Sequence, residues 1–142
     1  MKRIIITGGA GFIGSNFILK QLAETDNHIL NLDKLTYAGN LDNLSTVEKH
    51  ERYQFVEGDI TDATLVQSVV NDFQPDGIIH FAAESHVGRS IDGPIPFIMT
   101  NVVGTAILLD RLQNYWKTLD DAKKEDFRFL HVSTDEVFGS LG

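Results

Sequence analysis

The sequence has 142 residues, of which 42% are apolar, a formal net charge of -8 and no cysteine. Its length is sufficient for one domain with a buried core, and the composition is typical of a globular protein. The acidic balance, with no run of lysine or arginine, argues against DNA, RNA or anionic lipid as a partner. The lack of cysteine excludes disulfides, thiol nucleophiles and zinc sites built on cysteine.

The first residues carry no recognisable targeting signal. Only Ile4, Ile5 and Ile6 precede the glycines of the opening segment, which is too short an apolar run for a signal peptide. No other stretch is judged long and apolar enough to span a membrane. We therefore expect a cytoplasmic protein without a membrane partner.

Short, continuously apolar runs alternate with segments of helical periodicity along the chain. The predicted elements, in chain order, are a strand at 3–7, a helix at 12–24, strands at 28–33 and 53–57, a helix at 63–73, a strand at 77–81, a helix at 94–119 and a strand at 127–133. This alternation is typical of an α/β fold, a parallel sheet with helices on both faces, because strands buried on both sides are apolar throughout. The segment TLDDAKKEDF before the last strand is interpreted as a solvated charged loop.

The first strand runs into a glycine-rich turn, ITGGAGFIGSNF, that opens the first helix. Gly8, Gly11 and Gly14 are spaced three apart, and Gly9 with the last two also satisfies the G-x-G-x-x-G pattern. In this context the glycines let the backbone approach a pyrophosphate, whose charge is stabilised by the N–H groups of the helix N-terminus. The pattern predicts a dinucleotide-binding site in a Rossmann-type, doubly wound sheet.

An acidic residue, Asp33, ends the second predicted strand nineteen residues after Gly14. A carboxylate at this position can accept hydrogen bonds from both ribose hydroxyls and repels a 2′-phosphate, so NAD is favoured over NADP. The neighbouring Lys34 weakens that preference without reversing it. At the end of the third strand, Asp59 and Ile60 would lie beside the adenine, although Asp59 could equally cap the turn that follows.

The segment HFAAESHVGRS ends the fourth predicted strand, where ligands of open parallel sheets bind. Ala82 and Ala83 permit close approach of a ligand to the backbone. Polar groups follow them at Ser85, His86, Arg89 and Ser90. His80, Glu84 and His86 offer metal-ligand atoms, but no second element contributes, so we predict no metal site and expect a buried His80 that is hydrogen-bonded to backbone.

The helix predicted at 94–119 is apolar on most of its surface. A core stripe is predicted at Ile95, Ile98, Met99, Val102, Val103 and Ala106, while Phe97, Ile107 and Leu108 lie off it. Such a helix needs cover on two sides. The second cover is either another helix of the same chain or a partner subunit, and the sequence leaves both possibilities open.

Two adjacent carboxylates, Asp135 and Glu136, follow the last predicted strand in the segment STDEVFG. Like charges this close repel each other, and a buried carboxylate needs a partner or a proton. The pair therefore either lies in solvent or takes part in chemistry.

Five segments together resemble one family: ITGGAGFIGSNF, NLDKLTYAGNLDNL, HFAAESHVGRSI, TNVVGT and STDEVFG. They are similar to the dTDP-glucose 4,6-dehydratases, which are extended short-chain dehydrogenases/reductases. The resemblance runs from Lys2 to Gly142 and corresponds to the N-terminal part of a family member. It implies an NAD-binding Rossmann domain at 1–142 whose sheet is incomplete at the C-terminus, a nucleotide-sugar substrate, and a homodimer formed through the 94–119 helix.

The resemblance also implies which residues form the site. Cofactor contacts are assigned to Gly8, Gly11, Phe12, Ile13, Gly14, Asp33, Lys34, Leu35, Thr36, Asp59, Ile60, Phe81, Ala82, Ala83, Glu84, Ser85 and Thr100. Ser85 and Thr134 are assigned to the substrate. Family members commonly have aspartate where this chain has Gly88.

In the family, hydride leaves C4 of the glucose ring for NAD, water is lost across C5 and C6, and hydride returns to C6, which gives a 4-keto-6-deoxy sugar nucleotide. By resemblance, Thr134 would hydrogen-bond the C4 hydroxyl. Asp135 would be the acid that protonates the departing C6 hydroxyl, and Glu136 the base that takes the C5 proton. Successive side chains of a strand point to opposite faces, so we predict that the strand ends at about Ser133 or Thr134 and that the backbone turns through the two carboxylates.

The oxidation pair of the superfamily, a tyrosine followed four residues later by a lysine, is missing from this chain. Tyr37, Tyr53 and Tyr115 are followed at that spacing by leucine or glutamate. We therefore expect the chain to be catalytically inactive alone. Two alternatives remain: a non-catalytic NAD-binding module, and an epimerase or decarboxylase of the same superfamily, whose members usually lack the aspartate found here at 135.

Overall fold

The computed structural model describes residues 1–36, 39–85 and 91–139. Parallel strands and the helices between them make up most of these residues. The strands are β1 (Arg3–Thr7), β2 (His28–Asp33), β3 (Tyr53–Glu57), β4 (Gly77–His80) and β5 (Arg128–His131). The helices are α1 (Phe12–Glu24), α2 (Ala63–Phe73), α3 (Pro94–Thr118) and α4 (Asp121–Asp126). Short 3-10 helices lie at Leu41–Leu44 and Asp135–Phe138.

The strands form one parallel sheet in the order β3-β2-β1-β4-β5. β1 lies at its centre, where Ile5 pairs with Leu30 of β2 on one side and with Ile78 of β4 on the other. The strand order reverses beside β1, because β2 and β3 extend to one side while β4 and β5 extend to the other. In open α/β sheets, the crevice at the carboxyl ends of the strands on either side of such a reversal is the place where ligands bind.

Alternate side chains of β1 enter separate cores on the two faces of the sheet. Ile5 belongs to a cluster that includes Val70 of α2 and Leu108 of α3. Ile6 belongs to the cluster on the opposite face, with Ile18 of α1. Both faces of the sheet are therefore covered by helices, which confirms the predicted fold class and explains why the central strands carry apolar side chains on both faces.

Helix α3 turns its most apolar stripe outward, so the predicted core stripe is wrong. Ile95, Ile98, Met99 and Val102 are exposed, and the buried face runs instead through Thr100, Gly104, Leu108, Leu112 and Tyr115. A π-helical segment, Ile98–Gly104, lies within this part of the helix. A Cβ at Gly104 would lie 2.7 Å from the side chain of Ile60, in the segment between β3 and α2, so the helix approaches this residue closely through the face that carries glycine.

The length of α3 corrects a second expectation. Its 25 residues, Pro94–Thr118, are long and apolar enough, by length and composition alone, to span a membrane. The core helix of a globular domain passes the same test. Only 17% of the apolar window of α3 is buried, whereas Leu108, Leu112 and Tyr115 pack with α2 and the sheet.

Boundaries near β5 also differ from the prediction. The charged segment before β5 forms helix α4 rather than a loop, because the Asp120 side chain caps it by accepting the N–H of Lys123 (2.9 Å). β4 ends at His80 and β5 at His131, slightly before their predicted limits.

The exposed stripe of α3 is expected to drive self-association of this chain, because contiguous apolar patches of this kind favour contact with another protein surface. Val102→Glu places a charge in the middle of the stripe and should shift the chain towards monomer in sedimentation velocity. Asn71→Glu, on the exposed side of α2, adds the same charge elsewhere and serves as the control. A monodisperse monomer that binds no hydrophobic dye would contradict the prediction.

Candidate functional site

A cavity of about 450 Å3 lies at the carboxyl ends of the strands, beside β1, where the strand order reverses. Predicted site residues that line it are Gly8, Gly11, Phe12, Ile13, Gly14, Asp33, Lys34, Thr36, Asp59, Ile60, Phe81, Ala82, Ala83, Glu84, Ser85, Thr100 and Thr134. Leu32, Gly39, Gly58, Val132 and Ser133 also line it and were missed, although Leu32, Gly58 and Ser133 adjoin predicted residues. Leu35 is the one predicted cofactor residue that is not in the lining.

The glycine-rich turn brings β1, α1 and the segment after β4 into close contact. Gly8 has a φ of +72°, and a Cβ at this position would lie 2.6 Å from the backbone nitrogen of Ala82. A Cβ at Gly14 would lie 2.5 Å from the carbonyl oxygen of Gly8. Only glycine fits both positions without moving the backbone, so the turn has the close packing that its spacing predicts.

Helix α1 begins at Phe12 after Gly11, and no side chain within the described part of the chain caps its N-terminus. The N–H groups of the first helical turn lack partners inside the helix and carry the positive end of its dipole. Phe12 and Ile13 are exposed apolar side chains in the cavity lining. The end of α1 therefore suits an anionic group that is attached to apolar rings.

Two polar residues on one side of β2 hold the glycine-rich turn in place. The Oδ1 atom of Asn31 accepts the N–H of Gly9 (3.0 Å), and the Oδ2 atom of Asp33 accepts the N–H of Ala10 (2.8 Å). The Oδ1 atom of Asp33 accepts the N–H of Leu35 (2.8 Å). Each carboxylate oxygen keeps a lone pair for a further donor, such as a ribose hydroxyl. Sequence reasoning missed Asn31, because an amide inside a strand matches no motif.

Asp59 both caps a turn and lines the cavity, so the two interpretations left open by its position are compatible. Its Oδ1 atom accepts the N–H of Thr61 (2.9 Å), and its Oδ2 atom lies 2.8 Å from the Nζ atom of Lys34. Partial burial raises the pKa of Asp59, but the hydrogen bonds from Lys34 and Thr61 together lower it more. The net effect is a pKa below the usual value, which keeps this carboxylate ionised beside the lysine.

His80 ends β4, directly before Phe81 of the cavity lining, and is only 1% exposed. Its Nδ1 atom is 2.5 Å from the hydroxyl of Thr7, and its Nε2 atom is 3.0 Å from the hydroxyl of Thr105. The Thr7 hydroxyl also accepts the N–H of Ala82 (3.3 Å), which places β4 against β1. The predicted burial of His80 is therefore confirmed, but its partners are side-chain hydroxyls rather than backbone. Burial, followed by the charge of His131, lowers its pKa to about 4.

The loop after β4 is fastened to α3 by a reciprocal pair of hydrogen bonds. Asn101 accepts the N–H of Glu84 (2.8 Å) and donates to the carbonyl of the same residue (2.9 Å). This contact holds the loop beside Thr100, which lies in the cavity wall. Tyr37, His86, Gly88, Arg89 and Ser90, named by the sequence analysis, lie outside the described residues. Among those that are described, no three His, Asp or Glu side chains are grouped to hold a metal ion.

The chain turns away from the sheet after β5, before the two adjacent carboxylates. Ser133 and Thr134 line the cavity, and a 3-10 helix, Asp135–Phe138, follows them. The predicted turn of the backbone is confirmed, although the strand ends at His131, earlier than predicted. The acid and base roles concern side chains at 135 and 136 that lie outside the described part of the structure, and they stay predictions.

Comparison with known proteins shows that the chain is similar to 4,6-dehydratases. Residues 5–142 match the family model described as GDP-mannose 4,6 dehydratase. The chain is 54% identical, over 142 residues, to a dTDP-glucose 4,6-dehydratase of Xanthomonas campestris pv. campestris (strain B100), covering 100% of this chain and 40% of that protein. It is 52% identical to dTDP-glucose 4,6-dehydratase 1 of Escherichia coli (strain K12), covering 98% of this chain and 38% of that protein.

Solved structures of similar sequence have the same fold. A dTDP-glucose 4,6-dehydratase from Streptomyces venezuelae with NAD and TYD bound is 45% identical and superposes with a TM-score of 0.86, over 99% of this chain and 42% of that one. A UDP-Glc/GlcNAc 4-epimerase from Campylobacter jejuni is 29% identical with a TM-score of 0.84, over 98% of this chain and 39% of that one. The fold is therefore Rossmann-type, and the chain spans about two-fifths of the length of these relatives.

The buried histidine makes stability depend on pH. The unfolded chain takes up a proton on His80 near pH 6.5, whereas the folded chain does so only near pH 4. Acidification between these values therefore favours the unfolded state, and we expect His80 to lower the free energy of unfolding by up to about 3 kcal/mol across this range. Urea unfolding of the chain and of His80→Gln at a series of pH values measures the difference.

His28→Gln, at the start of β2 and away from the cavity, is the matched control and should retain the pH dependence. Subtracting the His80→Gln curve removes the contribution of the carboxylates, which also titrate in acid. Parallel curves for the parent chain and His80→Gln would show that the histidine does not carry the effect.

Proposed function

The chain belongs to the GDP-mannose 4,6 dehydratase family, and we propose that it binds NAD and forms the cofactor-binding part of a dTDP-glucose 4,6-dehydratase. The observation that carries this proposal is the convergence of the glycine-rich turn, the uncapped N-terminus of α1 and Asp33 on one cavity. The identity of more than 50% to dehydratases supports that activity over epimerisation, since a solved epimerase structure of the same fold is only 29% identical.

The residues present fit a dinucleotide along the cavity. The free N–H groups at the start of α1 would hold the pyrophosphate, and Asp33 would accept hydrogen bonds from the adenosine ribose. Asp59 and Ile60 would lie by the adenine, and Ser85 and Thr134 by the nicotinamide end and the sugar. When bound, NAD supplies an acceptor for hydride from C4 of the sugar and later a donor of hydride to C6.

The dehydration step is proposed for the segment after β5. Thr134 would hydrogen-bond the C4 hydroxyl, Asp135 would protonate the departing C6 hydroxyl, and Glu136 would remove the C5 proton. The backbone supports this assignment, because successive residues in a 3-10 helix are rotated by about 120°, whereas those in a strand point in opposite directions. One carboxyl must be protonated while its neighbour is ionised, which is the behaviour of a coupled pair.

The exposed face of α3 supports a homodimer in the complete protein. Its outward stripe continues into a depression of about 470 Å3 lined by Leu109, Trp116 and Phe129, among others, beside edge strand β5. A second copy of the same helix would bury the stripe by a symmetric contact, in which the same residues serve both partners. We also propose a cytoplasmic location, which fits an enzyme of nucleotide-sugar metabolism.

Binding of NAD tests the proposal directly. We expect isothermal titration calorimetry to show one NAD bound per chain. Gly14→Ala should weaken binding by at least about tenfold, because the new methyl group would press on the carbonyl of Gly8 and open the turn. Lys20→Ala, on the exposed side of α1, should bind as the parent chain does. Circular dichroism checks that each variant is folded, and a parent chain that does not bind NAD would refute the proposal.

Asp135→Asn separates dehydration from epimerisation. The chain of 142 residues should give no keto product from dTDP-glucose and NAD, because the tyrosine and lysine of the oxidation step are missing. In a complete protein that carries this N-terminal sequence, Asp135→Asn should slow formation of the 4-keto-6-deoxy sugar by about a hundredfold or more, while NADH absorbance still appears. Unchanged product formation would exclude the acid role, and turnover by the short chain would exclude its predicted inactivity.

A further inference from the structure

Lys34 and Asp59 form an ion pair at the edge of the cavity. The Nζ atom of Lys34 lies 2.8 Å from the Oδ2 atom of Asp59, and the two side chains are 47% and 28% exposed. Both residues line the cavity. Among the ion pairs within the described residues, this is the one that joins two residues of the lining.

The position of Asp59 is fixed by the backbone on either side of it. Its other carboxylate oxygen, Oδ1, accepts the N–H of Thr61 (2.9 Å). The preceding residue, Gly58, donates its N–H to the carbonyl of Asp33 (2.9 Å), which joins the end of β3 to the end of β2. The carboxylate is therefore already held at Oδ1, and its other oxygen, Oδ2, points towards the lysine.

Two neighbouring residues of opposite charge, Asp33 and Lys34, lie at the carboxyl end of β2, and they act in opposite directions on a ligand that carries a ribose phosphate. The carboxylate of Asp33 is fixed by the N–H groups of Ala10 and Leu35, so it cannot turn away from a ligand without losing both bonds. A fixed carboxylate repels a phosphate on the ribose. The ammonium group of the neighbouring Lys34 would attract such a phosphate. How strongly the site rejects a ribose phosphate therefore depends on whether this ammonium group is free to contact it.

We infer that Asp59 is a specificity-determining residue, which favours NAD over NADP by holding the ammonium group of Lys34 in an ion pair. This inference rests on the proposed binding of NAD. A 2′-phosphate then meets the carboxylate of Asp33 and a lysine whose charge is already neutralised. Because the pair is partly exposed, salt screens it and the effect is moderate.

Asp59→Asn is the informative change, because an asparagine keeps the oxygen that accepts the N–H of Thr61 but lacks the negative charge. We expect the affinity for NADP to rise by about fivefold at low ionic strength and the affinity for NAD to change less, as measured by isothermal titration calorimetry. The gain should shrink as salt is added. In the double variant with Lys34→Gln, it should disappear.

Asp62→Asn is the matched control. Asp62 caps α2 by accepting the N–H groups of Thr64 and Leu65 and does not line the cavity. The change removes the same charge three residues away and should leave the ratio of NADP to NAD affinity unchanged. Lys34→Gln in the parent chain is a second test that does not depend on how well Asp59→Asn folds, and it should alter NADP affinity little, because the lysine is already engaged.

The outcomes distinguish this inference from the proposed function. A parent chain that binds neither dinucleotide overturns both. A chain that binds NAD but keeps the same affinity ratio in Asp59→Asn overturns the inference alone. An equal gain in Asp62→Asn, a gain that persists in the double variant, or a loss of several-fold in NADP affinity in Lys34→Gln would do the same.

Discussion

The candidate site depends on the carboxylate of Asp33. This buried group ends β2 and accepts backbone N–H groups from two different segments, Ala10 in the glycine-rich turn and Leu35 in the loop that follows the strand. Leu35 has a φ of 54°, a conformation that leucine rarely adopts, and its bond to Asp33 offsets that strain. A buried carboxylate that loses its donors is costly, so the turn and the loop are held together before any ligand arrives.

Neutral contacts hold the opposite wall of the cavity. His80 connects the hydroxyls of Thr7 and Thr105, and the Thr7 hydroxyl accepts the N–H of Ala82. The backbone at Gly8 lies against Ala82 at a separation that leaves no space for a side chain. The cavity is therefore built from three kinds of contact. The carboxylate of Asp33 fixes the end of β2, and the small residues Gly8 and Ala82 let the ends of β1 and β4 lie close together. The uncharged imidazole of His80 joins the sheet to α3.

Sequence patterns predicted the parts of the site that depend on neighbours along the chain. The glycine spacing in a strand–turn–helix context and the acidic residue at the next strand end lead to Gly8, Gly14 and Asp33. Prediction failed for α3, because a helical period identifies an apolar stripe but not the surface that the stripe meets. Gly104 lies so close to Ile60, in the segment between β3 and α2, that a side chain would not fit there, and the larger apolar side chains of the helix lie on its exposed face.

The sequence by itself therefore determined the class of fold, the turn that faces a dinucleotide and the family resemblance, since each follows from residue type and spacing within short segments. Tertiary structure decided the buried face of α3, the support that Asn31 gives to the turn, and the partner of Lys34. The Lys34 ammonium was ambiguous in the sequence because its effect on a ligand depends on Asp59 in another part of the chain. Contacts between distant segments arise only when the sheet brings the strand ends together.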